Sequence, residues 1–361
     1  MERQYVGIDF HRRRSVIVRL NAAGDRLAVT RVANDPLAIS AAVAEAGPVP
    51  EVVIEATYGW YWVVDLLRAN GATVHLANPN ALNWGERRVK NDVIDATDLA
   101  DMLRLNRLPE AWIAPPGIRE LRELVRYRAK LVGLRSGLKA RVHAVMAKEG
   151  VLPTVADMFC AAGNAQLDAM TLGPNYELRV ASLRELIAIY DREVAMLERD
   201  IHRHLRHHRS YAAVQAINGI GRTIAAVLVA EIGDVMRFPN PEALCSWAGL
   251  TPKHRESDVK ARRGEITKQG SRLVRWSLIE GIARYHGGPK LSSDLSPHRQ
   301  AARRQQGAGG DRPQGPHARL LRPARRRDPL PGAGRGGVRL GHGQAASSTS
   351  GMTLSDGGST N

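Results

Sequence analysis

Three consecutive strand-like segments open the chain, and helices and strands alternate after them. Residues 5–11 form a short apolar run, and residues 14–21 and 26–33 then alternate apolar and polar side chains as half-buried strands do. Asp35 is predicted to cap a helix over 36–46. The segments that follow are a strand at 51–56, a helix at 60–70, a strand at 72–78 and a helix at 91–108. This order limits the first domain to a mixed sheet covered by helices.

Two long charged helices are predicted beyond this domain, over 118–148 and 177–208, with a less regular segment at 150–175 between them. Helices joined in this way indicate an antiparallel helical arm. A solvated spacer and an arm that grips nucleic acid both fit the pattern, and the sequence leaves both open.

A glycine turn precedes an apolar helix in residues 214–233. This NGIG turn resembles a helix-hairpin-helix element, in which the backbone amides of Gly219 and Gly221 face a phosphate. A basic segment at 253–275 follows and leads into a helix containing Trp276. We therefore expect a small, mainly α C-terminal domain.

The composition changes after about residue 287. Residues 287–361 contain no Phe, Trp, Tyr or Ile, and their 12 Lys and Arg against 4 Asp and Glu supply +8 of the chain's formal +16. Such a segment cannot bury a core, so it is predicted to be disordered. The tail can also be back-translated, with codons that the genetic code permits, so that the neighbouring reading frame encodes a helical segment. The tail would then be the product of a frameshift, which the sequence of the encoding DNA would test. The predicted domains are 1–115, 116–209, 210–286 and this tail.

The net charge and the cysteines restrict the function classes. A sequence pI of about 10.5 favours a polyanionic partner such as nucleic acid. The two cysteines have no metal-ligand or disulfide spacing, and neither a signal peptide nor a run of about 18 apolar residues is found. We expect a cytoplasmic, nucleoid-associated protein without a membrane partner.

Four acids occur where strands end or a helix begins. Asp9 and Glu55 lie in strands, and Asp92 and Asp95 stand three residues apart at a helix start, which places both on one helix face. Carboxylates gathered in this way would hold hard cations that promote phosphodiester cleavage. Taken singly, such acids are usually solvated or capping residues; for Asp92 alone a cap or first-turn role is favoured, and Asp98 is interpreted as solvated.

The segments GIDFH, VIEATYGW and KNDVIDATDLA resemble, in order and spacing, the DEDD motif of the insertion-sequence-110 family of transposases. The similarity continues through INGIGRTIAAVLVAEIGD, FPNPEALCSWAGLTP and RESDVKARRGEITKQGSRLVRWSLIEGIARYH, and covers roughly residues 5–286. It implies a ribonuclease-H-like, RuvC-like fold for the first domain. It also implies that Asp9, Glu55, Asp92 and Asp95 bind Mg²⁺.

The same resemblance implies a serine nucleophile at Ser257. Family members commonly have glycine after this serine, whereas Asp258 follows it here and Glu256 precedes it. Nucleic-acid contacts are expected from a set of basic residues: Lys90, Lys260, Arg262, Arg263, Lys268 and Arg272. His11, beside Asp9, suggests a general base, but holding the strand end or contacting nucleic acid is favoured. Ser271 and Ser277 are interpreted as helix-start and helix-face residues.

The family resemblance further implies a recombinase that joins element ends to target DNA, guided by a structured RNA, as a dimer or tetramer. Two other functions remain open: a junction nuclease that activates water with the same acids, and an inactive nucleic-acid-binding remnant. A covalent protein–DNA adduct would distinguish the recombinase from both.

Overall fold

The computed structural model describes residues 2–82, 91–257 and 260–285. Lys90 and the tail from residue 287 lie outside the described residues, so the predictions made for them stay predictions. The first domain is a five-stranded mixed sheet with helices on both faces. Its elements are β1 (Tyr5–Phe10), β2 (Arg14–Leu20), β3 (Arg26–Ala33), α1 (Pro36–Ala44), β4 (Glu51–Glu55), α2 (Trp60–Ala69), β5 (Thr73–Ala77) and α3 (Asp92–Arg104).

The sheet order is β3-β2-β1-β4-β5. The first three strands pair antiparallel, and β1, β4 and β5 run parallel. Alternate side chains of each strand enter two separate cores. One face packs against α1 and α2, and the other against α3. This mixed α/β sheet with its helices is consistent with the RuvC-like fold expected from the sequence. Asp35 caps α1, as predicted, because its side chain accepts hydrogen bonds from the backbone amides of Leu37 and Ala38.

Gly7 sets the distance between α3 and the sheet. A Cβ atom at this position would lie 1.9 Å from the carbonyl oxygen of Ala96 and 2.9 Å from the amide nitrogen of Ala100. The backbone of α3 therefore rests directly on β1, which a larger residue would prevent. Because Asp9 follows Gly7 by two residues and Asp95 precedes Ala96, this contact fixes the distance between acids from the two elements.

The helical arm is formed by α4 (Pro116–Lys148) and α6 (Pro174–Leu205). Arg128 pairs with Glu198, and Arg135 pairs with Asp191. Residues later in α4 thus meet residues earlier in α6, so the two helices are antiparallel, as predicted. The segment between them is more regular than expected, because it contains the helix α5 (Ala161–Ala169), whose Leu167 packs in the core at the end of the arm.

The part of the C-terminal domain that the structure describes contains four α-helices and a hairpin. Its elements are α7 (Arg209–Gln215), α8 (Arg222–Ile232), α9 (Pro241–Trp247), β6 (Pro252–Ser257), β7 (Lys260–Ile266) and α10 (Arg272–Arg284). The antiparallel pair β6–β7 was not predicted, because its charged, exposed residues lack the apolar alternation of a half-buried strand. Ser271 caps α10, and Ser277 lies on a face of that helix, as predicted; the face that carries Ser277 is buried.

Helix α4 connects the sheet domain to the C-terminal domain through three arginines. Arg122 and Arg126 follow Arg119 by three and seven residues. Arg119 forms two hydrogen bonds with Asp65 of α2, at 2.6 and 2.8 Å. Arg126 forms two with the buried Glu231 of α8, at 2.7 and 3.0 Å. Arg122, between them, donates to the carbonyl oxygens of Ala230 and Glu231 at the end of α8. None of the helices described here is long and apolar enough to cross a membrane.

Candidate active site

Asp9 and Glu55 lie at the carboxyl ends of neighbouring parallel strands. Ile8 is paired with Ile54, so one residue further along each strand brings Asp9 beside Glu55. In-register residues of parallel strands project from the same face of a sheet. For these two acids it is the face that packs against α3, since Gly7 and Val53 lie there too. Asp9 is 7% exposed and Glu55 is half-buried.

Helix α3 brings the other two acids to this face. Asn91 caps the helix by accepting a hydrogen bond from the amide of Val93, which leaves Asp92 in the first turn rather than at the cap. Asp95 is three residues further along the same first turn and is 3% exposed. The acid cluster, defined as Asp9, Glu55, Asp92 and Asp95, is therefore built from the ends of β1 and β4 and the first turn of α3.

His11 lies within this cluster. Its Nε2 atom is 3.0 Å from Oδ2 of Asp9 and 3.6 Å from Oδ1 of Asp92. One ligand atom from each of these three residues lies within 4.8 Å of the other two, a spacing that could hold a metal ion. The sequence suggested that His11 belongs with Asp9, but only the fold shows that it contacts two acids from different elements.

The electrostatics of Asp9 reflect this crowding. Burial raises the pKa of its carboxyl group above the ordinary value, the nearby charges of Asp92 and Asp95 raise it further, and His11 opposes them. A buried carboxylate among like charges is unfavourable unless a cation compensates it. The donor set, carboxylate oxygens with one imidazole, fits a divalent metal ion, and hard cations such as Mg²⁺ would use the oxygens.

Sequence reasoning missed two residues that position the cluster. Gly7 allows α3 to approach β1, and Asn91 fixes where α3 begins. Asn91 could have been recognised by the preference of asparagine for N-caps. Gly7 had no such signal, because a glycine in a strand identifies its close neighbour only when the fold is known.

Ser257 stands on a different sheet from the acids. It is exposed at the last pair of the β6–β7 hairpin, where it is opposite Lys260. Arg262 and Arg263 are exposed on β7, and Lys268 and Arg272 are exposed between the hairpin and the first turn of α10. The structure thus places the four acids at one face of the sheet, but among these described residues only Asp9 and Asp92 have ligand atoms that lie, with one of His11, within 4.8 Å of one another. The serine and most of the predicted cationic residues lie on the C-terminal domain.

The two predicted phosphate-binding glycines differ in their surroundings. Gly219 has a φ of +90°, and a Cβ there would lie 2.7 Å from the carbonyl oxygen of Gly281, so this glycine allows the turn to pack on α10. Gly221 precedes α8 with no neighbouring atom within 4 Å of a Cβ. A role in phosphate binding stays a prediction for both, and so does the helix-hairpin-helix interpretation.

A mixed sheet with acids at two adjacent strand ends and in the first turn of its covering helix is consistent with a RuvC-like DEDD α/β domain. Comparison with known families agrees. A family model for DEDD transposases of the IS110 type, described as "Transposase", matches residues 6–149. A second, described as "Transposase IS116/IS110/IS902 family", matches residues 211–286. The chain belongs to the IS110 family of transposases.

Individual relatives are also named transposases. A protein named "Probable family 20 transposase" from Pseudomonas aeruginosa is 28% identical over 233 residues, which cover 61% of this chain and 66% of the relative. The "Transposase for insertion sequence element IS1111A" from Coxiella burnetii is 24% identical over 238 residues, covering 64% of each chain. The chain spans about half to two thirds of the length of the curated relatives it matches.

Proposed function

We propose that this protein cleaves and rejoins DNA as the transposase of a mobile insertion sequence. One observation supports the proposal. Asp9 and Glu55 lie at adjacent strand ends, Asp92 and Asp95 lie in the first turn of the helix on the same face, and ligand atoms of Asp9, His11 and Asp92 lie within 4.8 Å of one another. The four acids would hold Mg²⁺, and such an ion would supply neutralisation of charge on the scissile phosphate and on the leaving oxygen. Two of the acids that match the family motif, Asp9 and Asp92, belong to the group whose spacing fits a metal ion, which supports the proposal.

His11 is proposed as a positioning residue. Its Nε2 atom can donate to Asp9 and lies near Asp92, so it connects the strand to the helix. This contact supports the interpretation that His11 holds the strand end, rather than acting as a general base. Replacing it with asparagine should raise the Mg²⁺ concentration needed for half-maximal cleavage more than it lowers the maximal rate.

Ser257 is the proposed nucleophile. Its Oγ attacks phosphorus and forms a phosphoserine link as the P–O bond to the leaving deoxyribose breaks. The serine proton passes to water, and the leaving oxygen takes up a proton. The exposed position at the hairpin end makes Ser257 accessible to a DNA backbone, and the phosphoester bond is retained for rejoining.

The partners are proposed on the family resemblance. They are the DNA of the element ends and target, a structured guide RNA, and further copies of the chain in a dimer or tetramer. Base pairing between the guide RNA and the DNA would select the target sequence, while the protein would contact the nucleic-acid backbone and recognise its shape. Because Ser257 and the acids stand on different domains, a multimer could complete one site from two copies.

A denaturing gel with end-labelled element DNA and Mg²⁺ tests the proposal. We expect a covalent protein–DNA band that disappears in Ser257→Ala and in Asp92→Asn. Glu185→Gln, which changes an exposed acid on α6, is the matched control and should keep the band. Nicking at the parent rate by Ser257→Ala would replace the recombinase with the water-activating nuclease. Binding without cleavage by the parent would indicate an inactive remnant.

A further inference from the structure

A cleft of about 1120 Å³ opens between the sheet domain, the start of α4 and the C-terminal domain. We call it the arginine cleft. Its lining is separate from the acid cluster and comes from all three regions. It includes five cationic residues and two acids: Arg122, Arg126, Arg237, Lys268 and Arg272 against Glu110 and Glu231. Asn80, Trp112, Trp247 and Gln269 also line it. The cleft is large enough for several groups of a ligand, so its lining chemistry is informative.

Positive charge exceeds negative charge in this cleft. Arg126 pairs with Glu231, and Lys268 pairs with Glu265 at 2.8 Å. Within the described ranges, no carboxylate oxygen lies at salt-bridge distance from Arg122, Arg237 or Arg272. Burial, and then the nearby charge of Arg122, lower the pKa of Arg237 to about 10, so it remains charged at neutral pH. Crowded, partly desolvated guanidinium groups favour a polyanionic ligand.

Arg237 also lies among aromatic rings. Its guanidinium carbon is 4.7 Å from the ring centroid of Trp112, 4.9 Å from that of Trp247 and 4.1 Å from that of Phe238. Its one hydrogen bond to a described residue runs from Nε to the carbonyl oxygen of Ile232, at 3.3 Å. A guanidinium held by ring faces keeps its outer N–H groups for an anion, while aromatic faces stack on bases.

The wall that carries Lys268 and Gln269 is held rigidly. Cβ atoms at Gly249 and Gly270 would lie 1.8 Å from the oxygen of Gln269 and 2.1 Å from that of Trp247. Arg275 donates to the carbonyl oxygens of Gln269 and Gly270, at 2.7 and 3.1 Å. A wall fixed in this way presents its polar side chains without a large ordering cost on binding.

We propose that the arginine cleft binds an unpaired polynucleotide strand. Phosphates contact Arg237, Lys268 and Arg272, and the amides of Asn80 and Gln269 contact base edges. A base stacks against the part of the half-buried Trp247 ring that Arg237 and Phe238 leave exposed. Aromatic faces require unstacked bases, which a duplex does not offer. The proposal rests on the proposed function for the class of ligand, but it needs neither the acid cluster nor Ser257.

Fluorescence anisotropy in EDTA tests it with the full chain. The probes are fluorescein-labelled 12-nucleotide oligo-dT, oligo-rU and a 12-base-pair duplex. The cleft variant is Lys268→Gln with Arg272→Gln, both exposed; the charge-matched control is Arg31→Gln with Arg68→Gln, exposed on β3 and α2. We expect the cleft variant to bind single strands about tenfold more weakly. The plot of log K against log salt concentration should also become shallower by about 1.4, that is 0.7 for each lost cation. The control should stay within about twofold.

Tryptophan fluorescence provides the second readout. A bound single strand should quench the emission of the parent, and Trp247→Phe should lose much of that quenching while still unfolding at a similar temperature. A preference for oligo-rU indicates an RNA strand, and a preference for oligo-dT indicates displaced DNA; either supports the cleft. Equal losses in the cleft and control variants, tighter binding of the duplex, or unchanged quenching in Trp247→Phe would overturn it. Loss of cleavage in Asp92→Asn with intact binding affects only the proposed function.

Discussion

Replacing Asp9 with asparagine should stabilise the metal-free protein. Asp9 and Asp92 present carboxylate oxygens within 4.8 Å of each other. Two unit charges at that distance repel by about 1 kcal/mol at the dielectric constant of water and about 3.5 kcal/mol at an effective value of 20. Because Asp92 is 35% exposed, solvent screens part of this repulsion. Asp9→Asn also weakens the contact with His11. We therefore expect the free energy of unfolding of the metal-free protein to rise by about 1 kcal/mol, which corresponds to about 2 to 4 °C in Tm.

The pH dependence has a defined sign. Burial and the neighbouring acids raise the pKa of folded Asp9 above its ordinary 3.8. The folded state therefore binds this proton more tightly than the unfolded chain does, and the resulting stability is complete below pH 3.8 and lost as the pH rises through the folded pKa. Asp9→Asn should accordingly be more stable than the parent at pH values above the folded pKa of Asp9. The difference in stability should vanish below pH 3.8.

Magnesium should make the parent more stable than Asp9→Asn, which reverses the order of stability expected in EDTA. A cation that binds only the folded state raises stability with its concentration, and the parent alone keeps the full set of acids. Thermal unfolding in EDTA and in 10 mM Mg²⁺, at several pH values, measures both effects, with Glu185→Gln as the control. A lower Tm for Asp9→Asn in EDTA at pH 7, or equal stabilisation of both proteins by Mg²⁺, would refute the reasoning.

Three further predictions concern the acids, the hairpin and the sheet. Glu55→Gln should abolish strand cleavage on a labelled substrate while leaving DNA binding within about twofold, and metal-dependent cleavage at the parent rate would remove Glu55 from the site. Asp258→Gly, which removes a negative charge beside Ser257, should raise the yield of covalent adduct; an unchanged or lower yield would show that this charge is no handicap. Gly7→Ala should lower the free energy of unfolding by about 3 kcal/mol in denaturant titrations, since its Cβ would meet the backbone of α3. Gly133→Ala, on α4 with no atom within 4 Å of the new Cβ, should instead raise it by about 0.5 to 1 kcal/mol, and equal effects would contradict the close contact.

Local patterns predicted most elements of the first domain. Residues 14–21 and 26–33 alternate as half-buried strands and became β2 and β3, and the periodic run at 118–148 became α4 within two residues. The hairpin β6–β7 was missed because it is charged on both faces, so no alternation distinguishes it from a loop. The helix α5 was missed for a similar reason, since its short run of small residues has little periodicity.

The sequence by itself identified the family and the candidate residues for its chemistry. The order and spacing of Asp9, Glu55, Asp92 and Asp95 identified the family, and the three-residue spacing of the last two placed them on one helix face. These properties depend on the chain alone, because motif spacing and helical periodicity are local.

Only the tertiary structure decided how these residues meet. The register of β1 with β4 sets Asp9 beside Glu55, and the contact of Gly7 with α3 brings Asp92 to His11. The arginine cleft likewise joins Trp112 to Arg237 across 125 positions of the sequence. Strand pairing and packing between distant segments follow from how whole faces exclude water, and no local pattern encodes which partner a face will find.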